Sequence, residues 1–513
     1  MTHMTHAPRK IGWAAIGRPL GIAGRSWLLG LSFAPVIALA QQETASPPEL
    51  EVSGFIRGQV AASTTKNNPA NAALGLESNQ DINLAKVFGV MDLSYKPTLG
   101  SDAPIDGLRF FARTRLNIDA TQDLGSGTSP YNAFPTRYKN DGTLLRTGGD
   151  KAKVEIWEAF ADVSAGNAWW RLGRQNIVWG EADAIRLLDV VNALDTTQHA
   201  FIEGGGEQFD NSRIPVWALR GTYKLPSAPK YSIDAFVIPG DFVPTWQSDR
   251  GAPFNFNPLP LNAPAAGPVG LFPPGMRVEN NVDQRRGDAE AGIRLLGEVN
   301  NVKFTLNYLS KIDQDGVTVF DHFDPVANQV VLLNQHDRLN IAGASFNGFS
   351  DTLGAVIRGE MTHTPNQRYA NANPAGAPIL KVDTTRFVLG IDRPTFVFNT
   401  DSAMSVSLQW FQTHRDLGGQ KISILGAPGD DTETNFSLYL SQPVMNNQLF
   451  FELLAVYDTD GAYWLQPQIR YTPGNNWRFA LYANTFGGNE KRPGRFGSLS
   501  DVNEINFSVT RQF

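Results

Sequence analysis

Arg109, Arg113 and Arg115 lie in one stretch at odd positions. Alternate residues of an extended strand point the same way, so the three guanidiniums share a face. Like charges held together repel unless something anionic offsets them, and rows of Arg and Lys along a pore favour anions. The chemistry this implies is electrostatic recognition of an anionic solute, with no bond making. Other basic residues fall on the polar faces of alternating segments: Arg220, Lys224, Arg294, Lys303, Lys311, Arg358, Arg386, Arg470 and Arg478. Asp234, Glu290, Glu360, Asp392 and Glu452 are their acidic counterparts, so bases outnumber acids there although the chain carries a net charge of −6. For any one arginine, bracing the wall through a neighbouring acid, such as Arg358 with Asp392, is as good a reading as contact with a solute. For the trio, attraction of anions is the expectation.

A second candidate is the stretch from Trp179 to Asp195, which carries Glu181, Asp183, Arg186 and Asp189. Ile185, Leu188, Val191 and Leu194 recur at helical spacing, predicting a short amphipathic helix inside a long link. If the surrounding chain is a barrel, the apolar stripe needs a wall to pack on and the charges cannot face lipid. The helix is therefore expected to fold inward as a constriction, with a surface helix capping the barrel as the alternative.

Catalytic signals are weak. G-x-S-x-G, H-E-x-x-H, a P-loop and a dinucleotide fingerprint are all missing from the sequence. Asp313, Asp315 and Gly316 lack the remaining ligands of a calcium loop, and Asp321-His322-Phe323-Asp324 reads as a solvated loop. The sequence thus gives no reason to expect an enzyme, a cofactor or a metal.

The elements that would position these residues are strands. The chain ends with Ile505, Phe507, Val509, Arg511 and Phe513 alternating with Asn506, Ser508, Thr510 and Gln512. A last strand of this kind, ending on an aromatic residue, looks like the closing strand and C-terminal assembly signal of an outer-membrane barrel. The same period recurs near 54–62, 86–95, 107–118, 153–163, 169–176, 215–224, 230–238, 288–297, 301–311, 338–346, 352–363, 385–392, 402–413, 434–442, 448–458, 462–472, 477–486 and 503–513. Within 153–163 the apolar face switches near Ile156, which predicts a bulge. Links alternate short and long, as in membrane barrels, except that the one at 96–106 is long and the one at 459–461 is short. Trp217, Tyr223, Tyr231, Tyr308, Trp410, Tyr457, Tyr463, Tyr471 and Trp477 fall near strand ends, where interfacial girdles form. The Pro- and Gly-rich stretch 252–275 reads as an irregular loop. A soluble sandwich or propeller would also alternate, but has no reason to sort its links by length.

Residues 1–40 read as a signal peptide: Arg9, Lys10, Arg18 and Arg25 precede an apolar run from Trp27 to Ala40, which Pro35 interrupts. Residues 41–50 read as a periplasmic lead-in and 51–513 as one barrel. The absence of cysteine excludes disulfides and thiolate metal sites. A mildly acidic balance argues against a nucleic-acid partner.

Leu172-Gly173-Arg174-Gln175, then Trp179-Gly180, then Asp189-x-x-Asn192-x-x-Asp195 resembles an uncharacterised family of large proteobacterial outer-membrane barrel proteins. The likeness covers 168–195; a Pro often follows the Asn there, where this chain has Ala193. Alginate-export barrels have a similar LGRQ segment and are a more distant likeness. The resemblance implies an outer-membrane pore for organic or hydrophobic compounds. Combined with the residues, it gives the expected architecture: a transmembrane antiparallel β-barrel of about 16–18 strands. The expected function is passive diffusion of small anionic or organic solutes, with outer-membrane lipid and the barrel-assembly machinery as partners. A homotrimer is compatible with this, although the sequence does not show one. A partner-dependent exporter or importer of a polysaccharide or hydrophobic compound, and a structural or adhesive barrel with a blocked lumen, stay open.

Overall fold

The structure is a computed structural model that describes residues 48–65, 81–124, 146–148, 151–183, 185–197, 211–240, 242–246, 262–263, 275–282, 288–373, 376–397, 401–424, 427–488, 496, 499 and 503–513. The expected signal peptide lies outside the described residues. So do most of the expected lead-in and most of 252–275.

The period-two segments become eighteen barrel strands: β1 Glu49–Ser63, β2 Ile82–Lys96, β3 Gly107–Asp119, β4 Ala152–Ala165, β5 Ala168–Gln175, β6 Val216–Lys224, β7 Ser232–Ile238, β8 Glu290–Val299 and β9 Val302–Ile312. Then come β10 Arg338–Ser350, β11 Ala355–Ala370, β12 Ile379–Thr395, β13 Met404–Arg415, β14 Thr432–Val444, β15 Leu449–Asp458, β16 Tyr463–Tyr471, β17 Trp477–Gly487 and β18 Glu504–Gln512. Each pairs antiparallel with its neighbour in the chain, and β1 pairs with β18 from Phe55 opposite Gln512 to Ser63 opposite Glu504. Closure removes the open edge, so the ladder can satisfy its backbone groups within a membrane. At the seam, Phe513 N–H donates to Gly54 O at 3.1 Å and Gly54 N–H to Phe513 O at 3.0 Å. Gly54 has to be glycine, because a Cβ there would strike Val90 O and the Phe513 ring.

The two faces reverse the usual order of a soluble protein. Outside, Ile56, Met91, Phe110, Leu172, Ile293, Leu306, Met361, Leu408, Phe451, Leu481 and Phe507 are exposed. Inside, Arg57, Gln59, Asn506, Ser508 and Thr510 are buried, and Gln59 donates to Tyr482 Oη at 2.9 Å. A greasy exterior around a polar interior is the pattern of a transmembrane barrel. Tyr223, Tyr308, Tyr457, Tyr471 and Trp477 are exposed on that exterior.

The strand ends also sort. Asn300 and Asn301, at φ of 49° and 64°, close β8 to β9 as a two-residue turn. That turn shares an end of the barrel with the seam at Phe513. The long 97–106 link lies there too, tied by Asp106 N–H to Ser164 O at 2.7 Å. The short β15–β16 link lies at the far end. Sidedness is therefore regular even where link length is not. The expected bulge is present: Ile156 faces Thr114 and Glu158 faces Arg113, leaving Trp157 unpaired between them. It keeps Trp157 buried and turns Glu158, Phe160 and Asp162 to the same inner face as Glu155.

The links hold structure that the sequence did not suggest. Asn262–Ala263, Gly275–Val282, Val317–Asp324 and Gln329–His336 form a four-stranded mixed sheet at the far end. Thr121–Leu124 is a one-turn helix following β3. The wall is lowest where β5, β6 and β7 have 8, 9 and 7 residues. The Trp179–Asp195 stretch enters the lumen beside this low wall.

Candidate functional site

The stretch that follows β5 is a strap across the lumen, and the LGRQ-type residues form its root. Gly173, at φ of 133°, lies where a Cβ would strike Ala159 O. Arg174 is fully buried and its Nε donates to Trp157 O at 3.1 Å. Gln175 Nε2 donates to Ala218 O at 2.9 Å on β6. Asn192, also fully buried, joins both limbs: its Oδ1 accepts Ile177 N–H at 2.8 Å and its Nδ2 donates to Ile214 O at 2.8 Å. Arg213 grips Asp189 through Nε at 2.9 Å and Nη2 at 2.6 Å, and Asp195 approaches Arg115 at 3.5 Å. Arg186 donates to Asn192 O at 2.9 Å, and burial lowers its pKa.

The middle of the strap reaches the wall beyond the root. Glu360 on β11 accepts the N–H of Glu181 at 2.6 Å through one carboxylate oxygen and the N–H of Leu188 through the other. Arg358 bridges Asp183 to Asp392, the latter at 2.8 Å, and donates to Glu181 O at 2.6 Å. Gln409 on β13 donates to Asp183 Oδ2 at 2.7 Å, and Asn347 on β10 to Glu181 Oε1 at 3.1 Å. Burial pushes the Glu181 and Asp183 carboxyls up, against the opposing pull of Arg358. Two wall glycines are notches for the strap. A Cβ on Gly343 would lie 2.5 Å from Leu188 Cδ2, and one on Gly292 would lie 2.9 Å from Trp179 Cη2.

The expected helix over this stretch is a correction: the described residues of 179–195 contain none. A helix with one apolar stripe suits one wall, whereas the strap has two. Leu188 and Val191 pack with Trp179, Phe236, Leu309 and Ile341, while Leu187 and Ile185 pack with Val388 and Phe411. Wall side chains take the amides of Glu181, Asp183 and Leu188, which an intrahelical ladder would otherwise use.

The arginine trio is divided among acids on adjacent strands and the strap. Arg113 binds Asp92 through two bonds of 2.7 Å and approaches Glu158 at 3.4 Å. Arg115 is buried, with Glu155 at 3.4 Å, Asp195 at 3.5 Å and the Trp157 ring centroid at 3.5 Å. Arg109 binds Asp162 at 2.6 Å, but Arg171 binds the same carboxylate at 2.7 Å. Arg220 and Arg294 likewise share Asp234, at 2.7 and 2.9 Å. Arg470 pairs with Glu452 at 2.9 Å. Arg386 is half-buried and donates to Tyr369 Oη at 3.1 Å. Arg478 is half-buried opposite Thr510, and Lys303 is exposed beside the end turn, opposite Glu298.

Sequence reasoning named Glu360 only as a countercharge, and it missed Asp162, Arg171, Arg213, Gly292 and Gly343. Arg171 sits on the polar parity of 169–176, a signal that could have found it. The notches carried no signal of their own.

No curated protein matches the chain in sequence. Among solved structures, OccAB4 of Acinetobacter baumannii is similar at 9% identity and a TM-score of 0.47, covering 92% of this chain and 100% of its own. Pseudomonas aeruginosa OpdK, solved with vanillate, is similar at 9% identity and a TM-score of 0.46, covering 91% of this chain and 98% of its own. Salmonella typhi OmpF, in complex with daunomycin, is similar at 10% identity and a TM-score of 0.39, covering 90% of this chain and 97% of its own. Residues 62–420, most of the chain, match the family described as a protein of unknown function, DUF1302, and the chain belongs to that family.

Proposed function

We propose that the chain is an outer-membrane channel through which small anionic or organic solutes diffuse passively, and that it has no catalytic role. The observation that carries this reading is a polar lumen narrowed by a fixed strap while part of its wall stays wet. The Arg109 and Arg113 side chains keep 36% and 30% of their surface exposed inside the barrel. The end bearing the seam at Phe513 would face the periplasm, and the long links the exterior. Export through the signal peptide at 1–40 and insertion by the barrel-assembly machinery belong to the same proposal. The strap makes the passage selective by size, and the arginine-rich wall favours anions.

Single-channel recording of the purified mature protein in planar bilayers tests the proposal. A steady conductance with a reversal potential displaced toward the anion in a salt gradient is expected. A membrane that carries no current at any voltage or salt concentration would instead indicate a blocked, structural barrel.

A further inference from the structure

Resting on the channel reading above, we infer that the four-stranded sheet at the far end and the lumen strap are joined into one body through Gln314 and the 242–246 segment, with His336 at the joint as a proton-binding site through which acid outside the cell loosens the strap.

The strap is bonded to the 242–246 segment as a strand is to its neighbour. Trp246 N–H donates to Leu194 O at 2.8 Å, and Thr196 N–H to Trp246 O at 2.9 Å. The segment is bonded in turn to the link that carries the sheet. Thr245 N–H donates to Gln314 O at 3.0 Å, and Thr245 Oγ1 to Asp315 Oδ1 at 2.6 Å. Gln314 closes the triangle. It is buried, its Nε2 donates to Val191 O of the strap at 2.7 Å, and its Oε1 accepts from Lys311 Nζ on β9 at 2.6 Å. Asp315 also attracts Arg186 of the strap. The strap therefore cannot leave the wall at Val191 and Leu194 without breaking bonds to residues 314 and 246.

His336 fixes where those residues lie. It is the last residue of Gln329–His336 and is 1% exposed. Its Nδ1 lies 2.8 Å from Asp313 O and so carries the hydrogen, while Nε2 lies 3.0 Å from Asn334 Nδ2 and accepts. The Phe242 ring meets the imidazole edge-on with centroids 5.1 Å apart. Gly316, at φ of 67°, comes so close that a Cβ there would lie 2.8 Å from His336 Cε1. One ring thus touches both the residue before Gln314 and the first residue of the 242–246 segment.

A second proton would set an N–H against the Asn334 amide and a charge inside a dry joint. Asp313, Asp315 and Asp337 face the ring and favour that charge, but burial outweighs them and lowers the His336 pKa. Asp337 is itself paired with Arg368 of β11 at 2.6 Å, and Lys311 faces Asp313. The assembled joint binds a proton less readily than a free imidazole, so it is intact above about pH 6.5 and loses stability as pH falls from there. At pH 5.5 a free histidine is protonated about ten to one. With the assembled His336 neutral, the open joint, and the undocked strap with it, is populated about tenfold more than at pH 7.5.

The test is single-channel recording of the full mature chain at pH 7.5 and 5.5, beside amide hydrogen exchange in detergent at both pH values. Excursions to a higher conductance level should become about tenfold more frequent at pH 5.5, and protection of the 186–194 amides should fall relative to β12. His336→Gln should abolish this response, whereas His322→Gln, which removes an exposed histidine of the same sheet, should keep it. Gln314→Ala should raise the excursion frequency already at pH 7.5. A wild-type protein without the acid response, a response that survives His336→Gln, or one that His322→Gln abolishes equally overturns the proton site. Unchanged excursions and protection in Gln314→Ala overturn the joint. A protein with no conductance fails the channel reading itself, and the exchange comparison then decides the joint and its proton site alone.

Discussion

Glu360→Ala should loosen the strap while leaving the barrel folded. The Glu360 carboxylate is the acceptor for the amides of Glu181 and Leu188, and it is 3% exposed, so water does not replace it while the strap stays docked. Leaving a buried donor unsatisfied costs roughly 1–3 kcal/mol, so two donors at the low end weaken docking by about 2 kcal/mol. That multiplies the undocked population about 30-fold. Glu360→Gln keeps one acceptor oxygen and turns an N–H₂ toward the other amide, so its effect should be smaller, about fivefold for roughly 1 kcal/mol. Neither change touches the ladder of β11, whose bonds are between backbone groups. Amide hydrogen exchange in detergent reads this directly. Protection across 177–192 should fall in the order wild type, Gln, Ala, with the amides of β11 and β12 unchanged. Unchanged protection at 177–192 in the Ala variant would refute the anchoring role. A parallel loss of protection in β11 would show that the barrel, not the strap, had been weakened.

Arg115→Ala should destabilise the folded protein by roughly 3 kcal/mol, because Glu155 and Asp195 would be left buried beside Lys153 alone. Arg109→Ala should change stability by about 1 kcal/mol or less, since Arg109 is partly exposed and Asp162 keeps Arg171. Thermal melts in detergent decide this, and equal losses would contradict the pairing. At the far end, burial lowers the His336 pKa below its ordinary 6.5, against the opposing pull of Asp313, Asp315 and Asp337. A histidine that binds protons less readily when folded stabilises fully above about 6.5 and loses that contribution as pH falls toward its folded value. Exchange of the Val317–Asp324 and Gln329–His336 amides should therefore speed up below about pH 6.5 relative to a His336→Gln variant. A His336 titration by NMR at or above 6.5 would refute it.

The strands and their sidedness were legible because both follow from a local period: a half-greasy wall requires alternation, and the bulge at Trp157 announced itself as a break in it. Arg358 with Asp392 could be anticipated as adjacent positions on neighbouring hairpin strands. The strap could not be drawn correctly, because the pattern Ile185, Leu188, Val191, Leu194 states how many residues are apolar but not how many walls they meet. Nor could the sharing of Asp162 and Asp234 be read from the chain. It depends on register across β3 to β8, which a hydrophobic pattern sets only to the correct face.

Two kinds of charge pairing divide the work within the lumen. Where the strap is fixed, at Arg358, Arg213 and Arg115, every cation meets at least one carboxylate, and these arginines are all buried. Full matching in a dry contact holds a shape, because removing either partner strands the other. Arg109 and Arg171 instead share Asp162, and from Arg109 through Arg171 to Arg220 side-chain exposure falls from 36% through 19% to 11%, so this part of the wall is wetter than the contacts that fix the strap. The three neighbours on β3 show the division within a single strand. Arg115 holds the strap, Arg113 braces the wall against Asp92, and Arg109 alone of the three shares its carboxylate with another arginine. Their common face is therefore not evidence of a common role. What distinguishes them is which carboxylates each meets, on a neighbouring strand or on the strap, and that is a property of the closed barrel rather than of the strand that carries them.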